Sequence, residues 1–294
     1  MEKIIFDCDN TMGIHGCDVD DGLALLYLLG KKSLKICGIT TTYGNSDIET
    51  VYACTAAMLK EIGRSDIPIL KGCPDKESLN SEAAEFLVKT INDNKGNISI
   101  LATGSLTNLL AAYLIDSTIL MKTKQIVIMG GISQELIING EILDELNFSC
   151  DPVAADCVLK NGKNVSVITG NNCLDAFFTQ DDFEKILIAN SKPIAKYITR
   201  KCSYWFEDMM NMFKINGFYN WDVVAAAYLL EPSLFNNNYQ YIEPNIENLQ
   251  KGLLCFRPNN RESERESYLI NIPLIADLNS FTADIYNTWL EVEV

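Results

Sequence analysis

The opening thirty residues constrain this chain more than any other stretch. An apolar run, Ile4-Ile5-Phe6, stops at Asp7 and Asp9, and after a short Gly-containing loop Asp18, Asp20 and Asp21 open an apolar, helix-like run. A buried strand that ends in carboxylates places them at the carboxyl edge of a sheet, where open α/β folds hold their ligands. Asp at a helix start is favoured by the helix dipole, so capping accounts for Asp18 and Asp20 taken singly. It does not account for five carboxylates converging between Asp7 and Asp21, whose mutual repulsion is costly without a cation. The stretch reads as a hard-metal site.

Beyond it, strand-like and helix-like runs alternate. Strands are expected over 34–41, 67–70, 97–102, 125–129 and 165–169, with helices over about 19–30, 46–62 and 82–92. Further helices are expected to open at Asn108 and at Asp151-Pro152, where Pro suits a first helical turn. The second half is more helical, with helices over 181–190, 194–213, about 222–230 and 280–290. Runs at 239–246 and 267–271 suggest a small antiparallel appendage. Strands alternating with helices predict an α/β fold, a mainly parallel doubly wound sheet flanked by helices. With neither a repeat nor a low-complexity linker, residues 1–294 read as one domain.

Composition narrows the function. Lys+Arg number 24 against 39 Asp+Glu, a net charge of −15, which argues against nucleic acid or an anionic membrane as partner. No apolar segment reaches the length of a membrane span, and the N-terminus runs straight into a strand instead of a signal peptide. The ten Cys are scattered with no C-x-x-C pair, so free thiols in a reducing cytoplasm are expected. The one histidine, His15, excludes most His-based mechanisms.

Two families open in a similar way. Ile4-Ile5-Phe6-Asp7-Cys8-Asp9-Asn10-Thr11 resembles the haloacid-dehalogenase phosphatases, which would make Asp7 a phosphoryl-accepting nucleophile with Mg²⁺. That resemblance is one motif deep. The chain also resembles the inosine–uridine nucleoside hydrolase family, and does so in order along nearly its whole length. The matching pieces are Asp7-x-Asp9 with Asp20-Asp21, Thr40-Thr41-Thr42-Tyr43-Gly44-Asn45, Thr103-Gly104-Ser105-Leu106-Thr107-Asn108 and Met129-Gly130-Gly131. Glu145-Leu146-Asn147-Phe148, Asp151-Pro152-x-Ala154-Ala155 and Asp222 before an alanine-rich helix complete the set.

The resemblance implies a Ca²⁺ site of Asp9, Asp21 and Asp222 carboxylates with the Thr103 carbonyl, a donor set that suits a hard cation. Asp9 would double as general base on the metal-bound water, with Asp7 supporting it from behind. Asp20, Asn45, Asn139, Glu145 and Asn147 would bind the ribose. Taken alone, Asn45 and Asn108 are also good turn or cap residues, and Asp222 would pass as a helix cap.

Two departures stand out. Residues 12–19 form an insertion inside the metal loop, expected to bulge outward with His15 on it. Trp221 stands where much of the family has a proton-donating His; the purine-specific branch also has Trp there, stacked on the base. The resemblance therefore implies an enzyme, a nucleoside N-glycosidase that prefers purines, with catalytic Asp9 and Trp221, a small-molecule nucleoside as partner, and assembly as a homodimer or tetramer. The alternatives are the phosphatase and a catalytically silent ribose- or nucleoside-binding protein.

Overall fold

The computed structural model describes residues 1–257 and 266–294. The first strand, β1 (Glu2–Cys8), lies in the middle of the main sheet, and its alternating side chains feed both faces. Ile4, Phe6 and Cys8 enter one core layer and Ile5 the other. After it come α1 (Asp20–Gly30), β2 (Leu34–Thr41), α2 (Ile48–Glu61), β3 (Ile69–Lys71), α3 (Glu82–Asp93), β4 (Ser99–Ala102), α4 (Thr107–Ile115) and β5 (Ile126–Met129). A hairpin of β6 (Ile137–Ile138) and β7 (Glu141–Ile142) precedes α5 (Asn147–Cys150), α6 (Pro152–Asn161), β8 (Val165–Ile168) and α7 (Gly170–Cys173). The remainder is β9 (Phe177–Thr179), α8 (Gln180–Phe183), α9 (Pro193–Phe213), β10 (Gly217–Tyr219), α10 (Trp221–Leu230), β11 (Phe235–Asn236), β12 (Tyr239–Ile242), α11 (Ile246–Leu249), β13 (Tyr268–Asn271), β14 (Leu274–Ile275) and α12 (Leu278–Trp289).

Eight strands form the sheet in the order β12-β13-β8-β5-β4-β1-β2-β3, parallel throughout except for β12 against β13. A mainly parallel sheet between helical layers is the architecture the alternation predicts. The 239–246 and 267–271 runs are no separate appendage, because β13 pairs in parallel with β8 through Asn271 and Ser166 and extends the main sheet. Periodicity shows that a strand forms but not which edge it joins. The helix expected over 181–190 divides, with a π-helical segment at Glu184–Ile188 after α8. No helix among the described residues is long and apolar enough to cross a membrane.

Two helices, α1 and α10, set the site, and their starts differ from those of the other helices. Asp47 and Ser81 cap α2 and α3 by accepting from Thr50 N and Ala84 N, and Asp151 caps α6 by accepting from Ala154 N. By contrast α1 starts after Val19 with no side-chain cap, and α10 starts after Asn220 with none. Their first turns carry Asp20, Asp21 and Asp222 in side-chain roles other than capping. Both helices are apolar all round and buried, as their runs of Leu and Ala require; the Trp289 indole of α12 donates to the Leu23 carbonyl at 2.9 Å.

Candidate active site

Strands β1, β2, β4, β5 and β8 all end at one edge of the sheet, and the N-termini of α1 and α10 meet there. The carboxylates of Asp7, Asp9, Asp20, Asp21 and Asp222 are each at least 96% buried. Asp7 accepts from Thr40 Oγ1 at 2.5 Å and Asn108 Nδ2 at 2.9 Å through one oxygen, while Oδ1 is buried without a partner. Burial pushes its carboxyl up to about 7 against the pull of those two donors. Asp9 accepts from the Asn45 backbone N–H at 2.7 Å and its side-chain amide at 3.4 Å, and lies within hydrogen-bonding reach of Asp21. Gly44 is required for this: a Cβ there would stand 2.0 Å from Asp9 Oδ2.

Asp20 accepts from the backbone N–H of Asp21 at 3.1 Å and of Asp222 at 3.4 Å, which joins α1 to α10. Burial, and then the charge of Asp9, raise its carboxyl to about 6. Asp21 accepts from Thr103 Oγ1 at 2.7 Å and from Asn45 Nδ2 at 3.4 Å. Burial raises Asp21 and Asp222 well above the carboxylate range, with neighbouring Asp charges adding to it.

One oxygen each from Asp20, Asp21 and Asp222 lie within 4.8 Å of one another. Oxygens around a cation at about 2.4 Å can be at most about 4.8 Å apart, so the three fit one coordination sphere. The orphaned Asp7 oxygen and the raised carboxyls show the same electrostatic deficit. The residues therefore fit a hard divalent cation. The sequence grouped Asp9 with Asp21 and Asp222; in the structure Asp20 completes the oxygen triad, and Asp9 sits beside it against Asn45 and Asp21.

A cavity of about 280 Å³ opens over the triad, lined by Asp18, Asp20, Asn45, Thr103, Glu145, Asn147, Trp221 and Asp222 together with Met129, Leu136, Leu143, Asp144, Leu146 and Gly170. Asn147 lies between two strand ends, donating to the Thr103 carbonyl at 2.9 Å and the Met129 carbonyl at 3.0 Å. Glu145 lines the cavity while its carboxylate accepts from the backbone N–H groups of Gly131, Phe148 and Ser149. Trp221 is half-buried, and its ring centroid is 5.1 Å from Tyr219, which is 5.1 Å from Phe177.

Two features are placed differently from the expectation. Asn139 lies outside the cavity lining, exposed at the tip of the β6–β7 hairpin, where its amide donates to the Phe213 carbonyl at 2.9 Å. Asn139-Gly140 is a two-residue turn with both φ angles positive, +48° and +88°, a conformation for which that dipeptide is the strongest signal. The sequence contained that signal. The insertion also does not bulge outward as a whole. Met12 and Val19 are buried, and Asp18 lines the cavity. The loop is fastened to α9: the Tyr204 hydroxyl donates to the Cys17 carbonyl at 2.9 Å and accepts from the Gly13 N–H at 3.3 Å, and Asp208 accepts from the Gly16 N–H. His15 remains exposed, its ring 4.6 Å from Tyr204.

Residues 4–282 match the family model described as inosine-uridine preferring nucleoside hydrolase. The chain is 26% identical over 309 residues to the probable uridine nucleosidase 2 of Arabidopsis thaliana, covering 93% of this chain and 91% of that one. Among solved structures, a plant nucleoside hydrolase, the PpNRh1 enzyme, aligns with a TM-score of 0.86 at 23% identity over 98% of this chain and 99% of that one. A purine-preferring ribonucleoside hydrolase from Gardnerella vaginalis aligns with a TM-score of 0.80 at 21% identity over 99% and 98%. At such identities the structural likeness carries the fold alone.

Proposed function

This chain belongs to the inosine-uridine preferring nucleoside hydrolase family, which makes it a nucleoside hydrolase, and from that premise we propose a finer reading: a Ca²⁺-dependent ribonucleosidase that prefers purines. The observation that supports it best is the buried cluster of Asp9, Asp20, Asp21 and Asp222, three of whose carboxylates lie within one coordination sphere, beneath a cavity walled by Trp221. Asp9, Asp21 and Asp222 would hold the cation through carboxylates and Thr103 through its carbonyl. Bound there, Ca²⁺ supplies a hard charge that orients hydroxyl oxygens and acidifies a nearby water.

The side chains then divide the work of cleaving a C1′–N bond through an oxocarbenium-like ribosyl group. Asp9, held by two Asn45 donors, accepts the proton of the attacking water. Asp20 binds a ribose hydroxyl, and Asn45, Glu145 and Asn147 bind the others, Glu145 with its carboxylate already oriented by three backbone N–H groups. Asp7 keeps β1 in register with Thr40 and Asn108 behind Asp9. Trp221 stacks on the base and favours a ring that has gained positive charge. A site that reads several hydroxyls leaves buried groups unpaired when one is missing, so 2′-deoxyribosides react far more slowly.

A panel of inosine, guanosine, adenosine, uridine and cytidine, assayed for free base with Ca²⁺ and with EDTA, tests this. The expected result is base release that EDTA abolishes and Ca²⁺ restores, with purines ahead. Uridine ahead of every purine would refute the stacking assignment. Phosphate release from p-nitrophenyl phosphate without base release would favour the phosphatase instead.

A further inference from the structure

The charge and the aromatic wall of the cavity bear on which ribosides it cleaves fastest. Every charged group on its described lining is a carboxylate: Asp18, Asp20, Asp144, Glu145 and Asp222. Asp9 and Asp21 adjoin it, in contact with the lining residue Asn45. One divalent cation leaves this set of acids in excess. The apolar wall is Trp221 with Leu136, Leu143 and Leu146. The only imidazole of the chain, His15, lies elsewhere, exposed against Tyr204 on the inserted loop.

Breaking C1′–N sends the bonding pair to the heterocycle. A neutral base then accumulates negative charge unless a proton reaches it. An indole N–H donates hydrogen bonds but is no acid at neutral pH, and surrounding carboxylates oppose negative charge on the base. The same carboxylates, and the face of Trp221, favour positive charge on it.

We propose that the preferred substrates are ribosides whose heterocycle is cationic before cleavage, a pyridinium or an N-alkylated purinium joined to C1′; this rests on the nucleoside hydrolase reading of the same site. The C1′–N bond breaks with its electron pair neutralising the ring, the water oxygen bonds to C1′, and the water proton passes to Asp9 and on to solvent. The leaving group departs neutral and requires no proton.

The test compares nicotinamide riboside, which is permanently cationic, with its reduced, neutral form of nearly the same shape, and with inosine and uridine, all with Ca²⁺ at pH 7.5. The expected result is a kcat/KM for nicotinamide riboside at least about 100-fold above inosine and uridine, the size of the general-acid contribution that a neutral base forgoes. Turnover of the reduced form should be lower still. Asp144→Asn, at the exposed rim, should lower the cationic-to-neutral ratio about fivefold, the weight of one solvent-exposed charge contact. Inosine or uridine cleaved within tenfold of nicotinamide riboside, or an unchanged ratio in Asp144→Asn, overturns the inference and leaves the hydrolase reading intact. Failure to cleave any of the four overturns both.

Discussion

Gly44→Ala tests the placement of Asp9 with a single methyl group. The new Cβ would stand 2.0 Å from Asp9 Oδ2 and 3.0 Å from its Cγ. Ordinary carbon–oxygen contacts begin near 3.3 Å, so the carboxylate must retreat by roughly 1.3 Å. Moving Oδ2 also breaks its 2.7 Å bond from the Asn45 N–H. A displacement of about 1 Å in a catalytic group costs on the order of 100-fold in rate, or about 2.7 kcal/mol of transition-state stabilisation. Overpacking a buried site costs a further 1–3 kcal/mol or so of folding stability. The assay is kcat/KM for base release, with Ca²⁺ affinity by calorimetry and thermal melting run in parallel. The expected result is a folded protein with about 100-fold lower kcat/KM. A variant within twofold of the parent in both activity and Ca²⁺ affinity would refute the placement of Asp9 at the reacting water.

Three other outcomes follow from the same geometry. Burial raises Asp7 to about 7 and Asp20 to about 6, so the folded, cation-free chain holds protons that the unfolded chain has released. Their contribution to stability is complete below about pH 4 and is lost as pH rises through 6 to 7; with EDTA the melting temperature should therefore be higher at pH 5 than at pH 8, and Ca²⁺ should remove the difference, whereas a rise toward pH 8 in EDTA contradicts the electrostatics. Asn108→Ala removes donors to Asp7 and the Thr41 carbonyl and the acceptor of the Cys73 N–H, all buried. At about 1–3 kcal/mol for each group left unpaired, denaturant unfolding should show a loss of at least about 3 kcal/mol, and a loss below about 1 kcal/mol would mean that water replaces the amide. Asn139→Ala and Asn147→Ala should separate cleanly in steady-state kinetics. The first, at the hairpin tip, changes kcat/KM less than about tenfold, and the second, between two strand ends, more than about 100-fold; equal effects would return Asn139 to the site.

Much of the fold was legible because its signals are local. Carboxylates following an apolar strand, Asp47 and Ser81 before amphipathic runs, and Asp151-Pro152 at a helix start each act through neighbours a few residues away. What escaped depends on distant partners. The course of the insertion is set by Tyr204, 187 residues from Cys17, so its packing against α9 could not be read between residues 12 and 19, although Asp18 was already among the converging carboxylates. Likewise β13 joins the main sheet by pairing with a strand about a hundred residues earlier. The Asn139-Gly140 hairpin is a different case: its turn signal was plain, and a ribose-binding role drawn from resemblance took precedence over it. Glu145 shows the limit of counting acids, since one carboxylate both faces the cavity and ties down three backbone N–H groups.

The position of β1 has a consequence for how the protein is made. Synthesised before both of its sheet neighbours, it waits for β2 and for a β4 that begins at Ser99, and the carboxylate at its end waits for Asp222. Such separations give slow folding, because loop closure must be completed before the distant contacts reward it. An emerging chain thus carries a row of acids whose oxygen triad is incomplete until the α10 turn brings Asp222. A cation bound at this triad would be captured late and would act on the whole assembly, stabilising it by RT ln(1 + [L]/Kd). A cation that binds this site would then bear on the yield of native protein as well as on its turnover.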